Sequence, residues 1–283
     1  MAEEHSTKKR KKQAIEEEEM SFLEHLEVLR WHLIRAFGAI FIFSILAFIN
    51  KELIFDKIIM HPKMPDFWTN RMFDKLATLT GADSLRINTG DLQLISIAMS
   101  GQFMTHIWTS LVAGLVVAAP YVIWEFWRFI KPALYDSERK HSIGAVLYMS
   151  LLFICGVLFG YYLIVPLSVH FLGSYSISGQ VANQINVLSY IGTVTSITLA
   201  SGVIFELPVF VYFLSKIGLL SPKLMKKYRR HSYVALLVLS AIITPPDVFS
   251  QIMVCFPLVF LYEIGIVISK RVNKQAEEAI NNI

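Results

Sequence analysis

Residues 187–215 hold one charged side chain, Glu206, and no lysine or arginine. A helix that crosses a hydrocarbon core of about 30 Å needs about 20 predominantly apolar residues, so a run of this length reads as a membrane span. A carboxylate near the middle of such a helix costs roughly 2.5–3.5 kcal/mol on insertion scales. It is tolerated where it faces protein or water, and it usually serves a function there. Thr195, Thr198, Gly202 and Glu206 recur at helical spacing and make one small, polar face. Phe205, Val209, Phe210 and Phe213 are left for lipid or packing.

The rest of the chain has the same character. Of its 283 residues, 54% are hydrophobic and 17% charged, against about 25% charged in a soluble domain. The expected fold is an all-α polytopic membrane protein. Six apolar segments are readable, at about 31–49, 103–126, 143–166, 188–214, 232–244 and 248–269. The fifth would rise only about 20 Å as a helix. It crosses a thinned bilayer or turns back as a re-entrant arm, and both choices return the chain to the side it came from. Pro120, Pro166, Pro208 and Pro257 lie in or at the ends of spans, where a proline removes a donor and kinks or ends its helix. Pro208 frees the carbonyl of Ile204, close to Glu206. Kinked helices with a polar stripe point to six transmembrane helices in a concave bundle.

Lysine and arginine set the orientation. They crowd the N-terminal tail (Lys8 to Lys12), the start of the first span (Arg30, Arg35), the second-to-third connection (Arg128, Lys131, Arg139, Lys140), the fourth-to-fifth connection and the C-terminal end. The third-to-fourth connection, 167–187, has none. The positive-inside rule puts both termini in the cytoplasm. Residues 1–20 read as a flexible charged tail, 21–270 as one membrane domain and 271–283 as a second short tail. The basic tail runs into Glu16 to Glu19 with no apolar segment until about Trp31, which argues against a cleavable signal peptide. Cys155 and Cys255 lie inside apolar runs without metal spacing, and are expected to be buried, inert and unbridged.

Residues 127–140 mix aromatics, a proline and two acids among bases at the membrane surface. They read either as an interfacial anchor or as a small acidic site that grips a basic peptide. In 244–251, Pro245 and Pro246 stop one helix and Asp247 is placed to cap the next. Gly156 and Gly160 form a GxxxG whose ordinary meaning is close helix packing. Glu206 is a hydrogen-bond hub, a docking point for a polar group on a partner helix, or a proton carrier; the first two fit better, since a relay needs a chain of ionisable groups. Glu263 is expected to snorkel, and His106, His141, His170 and His231, near span ends, to be structural. No HExxH, GxSxG, Walker loop or dinucleotide fingerprint occurs, so no enzyme, metal or cofactor is expected, and no nucleic-acid partner.

Taken in order, 22–30 (Phe-Leu-Glu-His-Leu-Glu-Val-Leu-Arg), 129–138 with Pro-Ala-Leu-Tyr inside it, 205–209 (Phe-Glu-Leu-Pro-Val), 244–251 (Thr-Pro-Pro-Asp-Val-Phe-Ser-Gln) and 261–263 (Leu-Tyr-Glu) resemble the TatC family, the polytopic subunit of the twin-arginine (Sec-independent) protein translocase. The resemblance runs from about Ser21 to Lys270, and the family's short last two spans agree with it. It implies a receptor for the signal peptides of folded cargo, recognised by their paired arginines, and a scaffold for single-span partners like TatA and TatB. It further implies a proton-gradient energy source, a bacterial inner membrane in preference to a thylakoid, and several copies in a larger complex. Glu138 matches the family's cytoplasmic-loop acid and Phe129 its nearby aromatic. Glu206, with Pro208, matches its intramembrane acid. Pro245, Pro246, Asp247 and Gln251 match its periplasmic hairpin. One position departs: the family's acid near the start is Val28 here, so Glu27 or Glu24 would have to serve, although a one-residue shift turns a helical side chain by about 100°. The contrasting reading is a proton-coupled secondary transporter of a small solute using Glu206; the absent repeats and broken-helix pair weigh against it.

Overall fold

The computed structural model describes residues 22–81, 87, 92–130, 142–176, 178, 184–244 and 248–281, and the side chains at 22–25, 130, 142–143, 249–250 and 275–281 lie outside that description. Helix α1 (Phe22–Ile49) starts well before its apolar stretch. The long first connection holds a π-helical turn (Leu53–Ile59), a 3-10 turn (His61–Lys63) and helix α2 (Trp68–Thr80), which stops at Gly81 with φ 69°. That left-handed backbone is why glycine follows the helix. Helix α3 (Gly101–Ile130) is unbroken through Pro120.

The third span is α4 (Ser142–Phe159), a π-helical turn (Gly160–Ile164) and α5 (Val165–Ser174). The fourth is α6 (Val187–Phe205) and α7 (Leu207–Lys216), interrupted at Glu206. The short α8 (Pro222–Lys227) and α9 (Arg229–Ile243) lead to α10 (Val248–Asn281), which carries Pro257 without a break. Pro166 and Pro208 therefore stand at helix starts, where a missing N–H costs least. Two short strands, β1 (Leu94–Ile95) and β2 (Ile185–Asn186), pair in parallel and tie the first connection to the start of α6.

Among the described residues, five helical stretches are long and apolar enough to cross a membrane: Leu26–Ile49, Gly101–Phe129, Gly144–Ser174, Val187–Lys216 and Gln251–Lys274. The expected fifth segment is α9, whose 15 residues rise about 22 Å. The last segment is longer than expected. Its helix has 34 residues and passes straight through Lys270, because nothing from there to Asn281 is glycine or proline.

The larger core reaches from Met225 and Ile266 at the basic end to the end away from the bases. Ile164 and Val165 pack there on Tyr190, Ile191, Val194 and Ile197 of α6 and on Val254 and Leu258 of α10. The GxxxG does what its spacing suggests. A Cβ at Gly156 would stand 2.9 Å from Gly202 Cα, and one at Gly160 would stand 2.8 Å from Ser201 Cβ, so α4 and α6 touch almost backbone to backbone. Cys155 and Cys255 are both free, and neither is buried as expected: Cys255 is half-buried and Cys155 is exposed. It precedes Gly156 by one residue, and that step of about 100° turns it from the α6 contact to the outer face. Glu263 does not snorkel alone: Arg229 grips it with two donors, Nε to Oε1 at 2.6 Å and Nη2 to Oε2, and Tyr233 adds a third. This fork binds α9 to α10.

Candidate functional site

The basic ends of α1 and α3 meet around a carboxylate that sequence reasoning missed. Glu125 lies in the last two turns of α3, and its side chain is only 2% exposed. Tyr121 donates to its Oε1 at 3.0 Å. His32 of α1 donates from Nδ1 to Oε2, and Arg35 Nη1 stands 3.9 Å from the same oxygen. Tyr121 precedes Glu125 by one helical turn and Phe129 follows it by one, so the three share a face of α3. Phe129 meets the His32 ring edge-on, with centroids 6.2 Å apart. The signal that could have found this cluster was present: a lone acid at the end of an apolar run, with a histidine and an arginine at the facing end of another.

The residues nominated from the sequence are spread along the chain. Glu27 is exposed on α1. Glu24 belongs to the first turn of the same helix, with its side chain outside the described residues. Phe129 is half-buried beside the Glu125 cluster. Glu138 and the rest of 131–141 lie outside the described residues, as do His141, Pro245, Pro246 and Asp247. Gln251 begins the last span and donates from Nε2 to the Leu237 carbonyl at 3.2 Å, joining α10 to α9. His106 is structural as expected: its ring stacks on Phe48, centroids 3.9 Å apart.

Glu206 occupies the break between α6 and α7, 8% exposed, with φ −75° and ψ −7°. Its carbonyl accepts from Val209 and Phe210, at 2.9 and 3.1 Å, which starts α7. Neither carboxylate oxygen has a hydrogen-bond partner among the described residues. Pro208 is buried beside it. Further along the polar stripe, Thr195 accepts from Trp108 Nε1 at 3.2 Å. Thr198 Oγ1 is buried without a described partner and lines, with Thr109 and Thr195, a cleft of about 370 Å³ walled by Val112, Val116 and Val157.

Among the described residues no group of three or more His, Cys, Asp or Glu could hold a metal ion. The family model for Sec-independent protein translocase protein (TatC) matches residues 24–257. The chain belongs to the TatC family. A Blattabacterium TatC (sp. subsp. Periplaneta americana, strain BPLAN) is 41% identical over 262 residues, 92% of this chain and 98% of that one. The Aquifex aeolicus TatC is 31% identical over 260 residues, covering 92% and 98%. A crystal structure of the twin arginine translocase receptor TatC in DDM aligns with TM-score 0.70 at 31% identity, over 87% of this chain and 99% of that one. These are multi-pass membrane components of a protein translocase, and the comparisons lend no support to a solute transporter.

Proposed function

We propose that this chain is the signal-peptide receptor and scaffold of a twin-arginine translocase, carrying out no covalent step. The family match over residues 24–257 carries this reading. The chemistry of the basic end supports it. A guanidinium takes a carboxylate through two parallel hydrogen bonds that an ammonium cannot reproduce. Glu138 is the acid assigned to that contact, with Phe129 as the accompanying aromatic and Glu27 or Glu24 contributing from the start of α1. The bases at this end support a cytoplasmic location for it and for both termini, in a bacterial inner membrane. In this division residues 21–270 are the membrane domain, flanked by cytoplasmic tails, and 245–251 form the periplasmic hairpin.

The partners are single-span proteins like TatA and TatB, with several copies of this chain in one assembly. Glu206 is the docking point for a polar group on such a helix. A buried polar group without a partner costs about 1–3 kcal/mol, and a donor from an incoming helix removes that cost. Glu206→Gln is expected to leave signal-peptide affinity within about twofold and to lower co-purification of the single-span partners at least tenfold. Loss of peptide affinity first would reverse this division of roles.

The reading as a whole is tested by capture of the purified protein, in lipid nanodiscs, on signal peptides bearing Arg-Arg or Lys-Lys. Capture on the arginine peptide should exceed capture on the lysine peptide at least tenfold. Equal capture would remove the receptor reading.

A further inference from the structure

Helix α1 packs chiefly on α3. Its apolar stretch is the least buried of the five spans, and Phe37, Phe41, Ile42 and Ile49 lie on the outer surface. Lipid tails are as apolar as these side chains, so no hydrophobic force presses α1 onto α3, and close packing and polar contacts must do so. Midway along, Gly114 admits α1 so closely that a Cβ there would stand 2.7 Å from Ser44 Cα. At the end away from the bases, His106 donates from Nε2 to the Phe48 carbonyl at 3.1 Å. At the basic end the contact is Glu125, with His32 and Arg35 reaching it from α1.

We propose that Glu125 and His32 are positioning residues for the peptide site: they fix the cytoplasmic start of α1 against Phe129. The functional half of this inference rests on the receptor reading above; the structural half does not. The two helices run in opposite directions. With His32 facing Glu125, one turn further out brings Val28 level with Phe129. The buried contact therefore sets the gap between the segment carrying Glu27 and the aromatic at the mouth of the loop carrying Glu138. Glu125 is not itself a landing place for the peptide. Both its oxygens are engaged and its side chain is 2% exposed. Removing the carboxylate leaves His32 and Tyr121 without their acceptor and lets α1 pivot about Gly114.

Nitroxides at Leu26→Cys and Arg128→Cys, both exposed positions, measure the distance across this end of the pair in a Cys155→Ser, Cys255→Ser background. Glu125→Ala should broaden that distance and weaken binding of an Arg-Arg signal peptide at least tenfold. The double variant His32→Gln, Glu125→Gln restores an uncharged hydrogen-bonded pair; it should narrow the distance and recover affinity to within threefold. An unchanged distance in Glu125→Ala overturns the proposal. So does a broadened distance with unchanged affinity, or a double variant as weak as Glu125→Ala, which would give the carboxylate a direct contact with the peptide. If Glu125→Ala does not accumulate, His32→Ala removes the same contact from the other helix and is held to the same outcomes. A wild-type protein that binds no Arg-Arg peptide sinks the receptor reading, while the distance measurement still decides the positioning claim.

Discussion

Gly156→Val is expected to abolish the folded protein, and Gly144→Val, in the same helix, to leave it intact. A Cβ at position 156 would meet the Ser201 carbonyl oxygen, Phe205 Cβ at 2.8 Å and Gly202 Cα at 2.9 Å. Two of these three neighbours are main-chain atoms that no rotamer change can clear. A Cβ at position 144 has nothing within 4 Å. Overpacking costs typically 1–3 kcal/mol and occasionally more, and valine carries two further methyl groups into the same gap. In lipid no hydrophobic gain offsets the parting of α4 from α6, so a loss of about 3 kcal/mol or more is expected. The parting would also reach Phe205 and the break at Glu206. Thermal unfolding in detergent, followed by fluorescence-detected size exclusion, measures it. A folded Gly156→Val protein with the midpoint of wild type would contradict the backbone contact.

Glu138→Arg is expected to remove capture of Arg-Arg peptides while the protein still inserts and folds. A charge-assisted hydrogen bond contributes about 1.5–3 kcal/mol. Losing a two-pronged contact therefore costs at least about 3 kcal/mol, or more than a hundredfold in affinity. The arginine also places a like charge where the peptide's guanidinium would sit, so this variant should bind more weakly than Glu138→Ala. Both affinities are read by titrating a fluorescent signal peptide into nanodiscs. Wild-type affinity in either variant would take Glu138 out of the site.

The spans were legible because bilayer thickness imposes a length on them, and 187–215 meets it with one acid. The close contact of α4 and α6 was legible in the Gly156–Gly160 spacing, since glycine pairs one turn apart serve few other purposes in a membrane helix. Glu125 was not singled out, because its role depends on His32, which is distant in sequence and comes from a helix whose angular position no local pattern reveals. The same holds for Glu263. Its place near a span end suggested a side chain reaching for water, and only the packing of α9 against α10 brought Arg229 to it. Cys155 faces outward although its neighbours in sequence are apolar, because in a bilayer apolar surroundings exist on both the lipid side and the protein side.

The amino-acid sequence by itself determined that this chain lives in a bilayer, where its helices run, which end carries the bases and to which family it belongs. Those properties follow from local composition, helical length and ordered motifs. The tertiary structure alone decided which polar groups are satisfied. Glu125 has its partners, and Glu206 has none among the described residues. Partnering across helices is set by their rotation and closeness, which in lipid depend on backbone contacts at a few glycines and not on hydrophobic pattern.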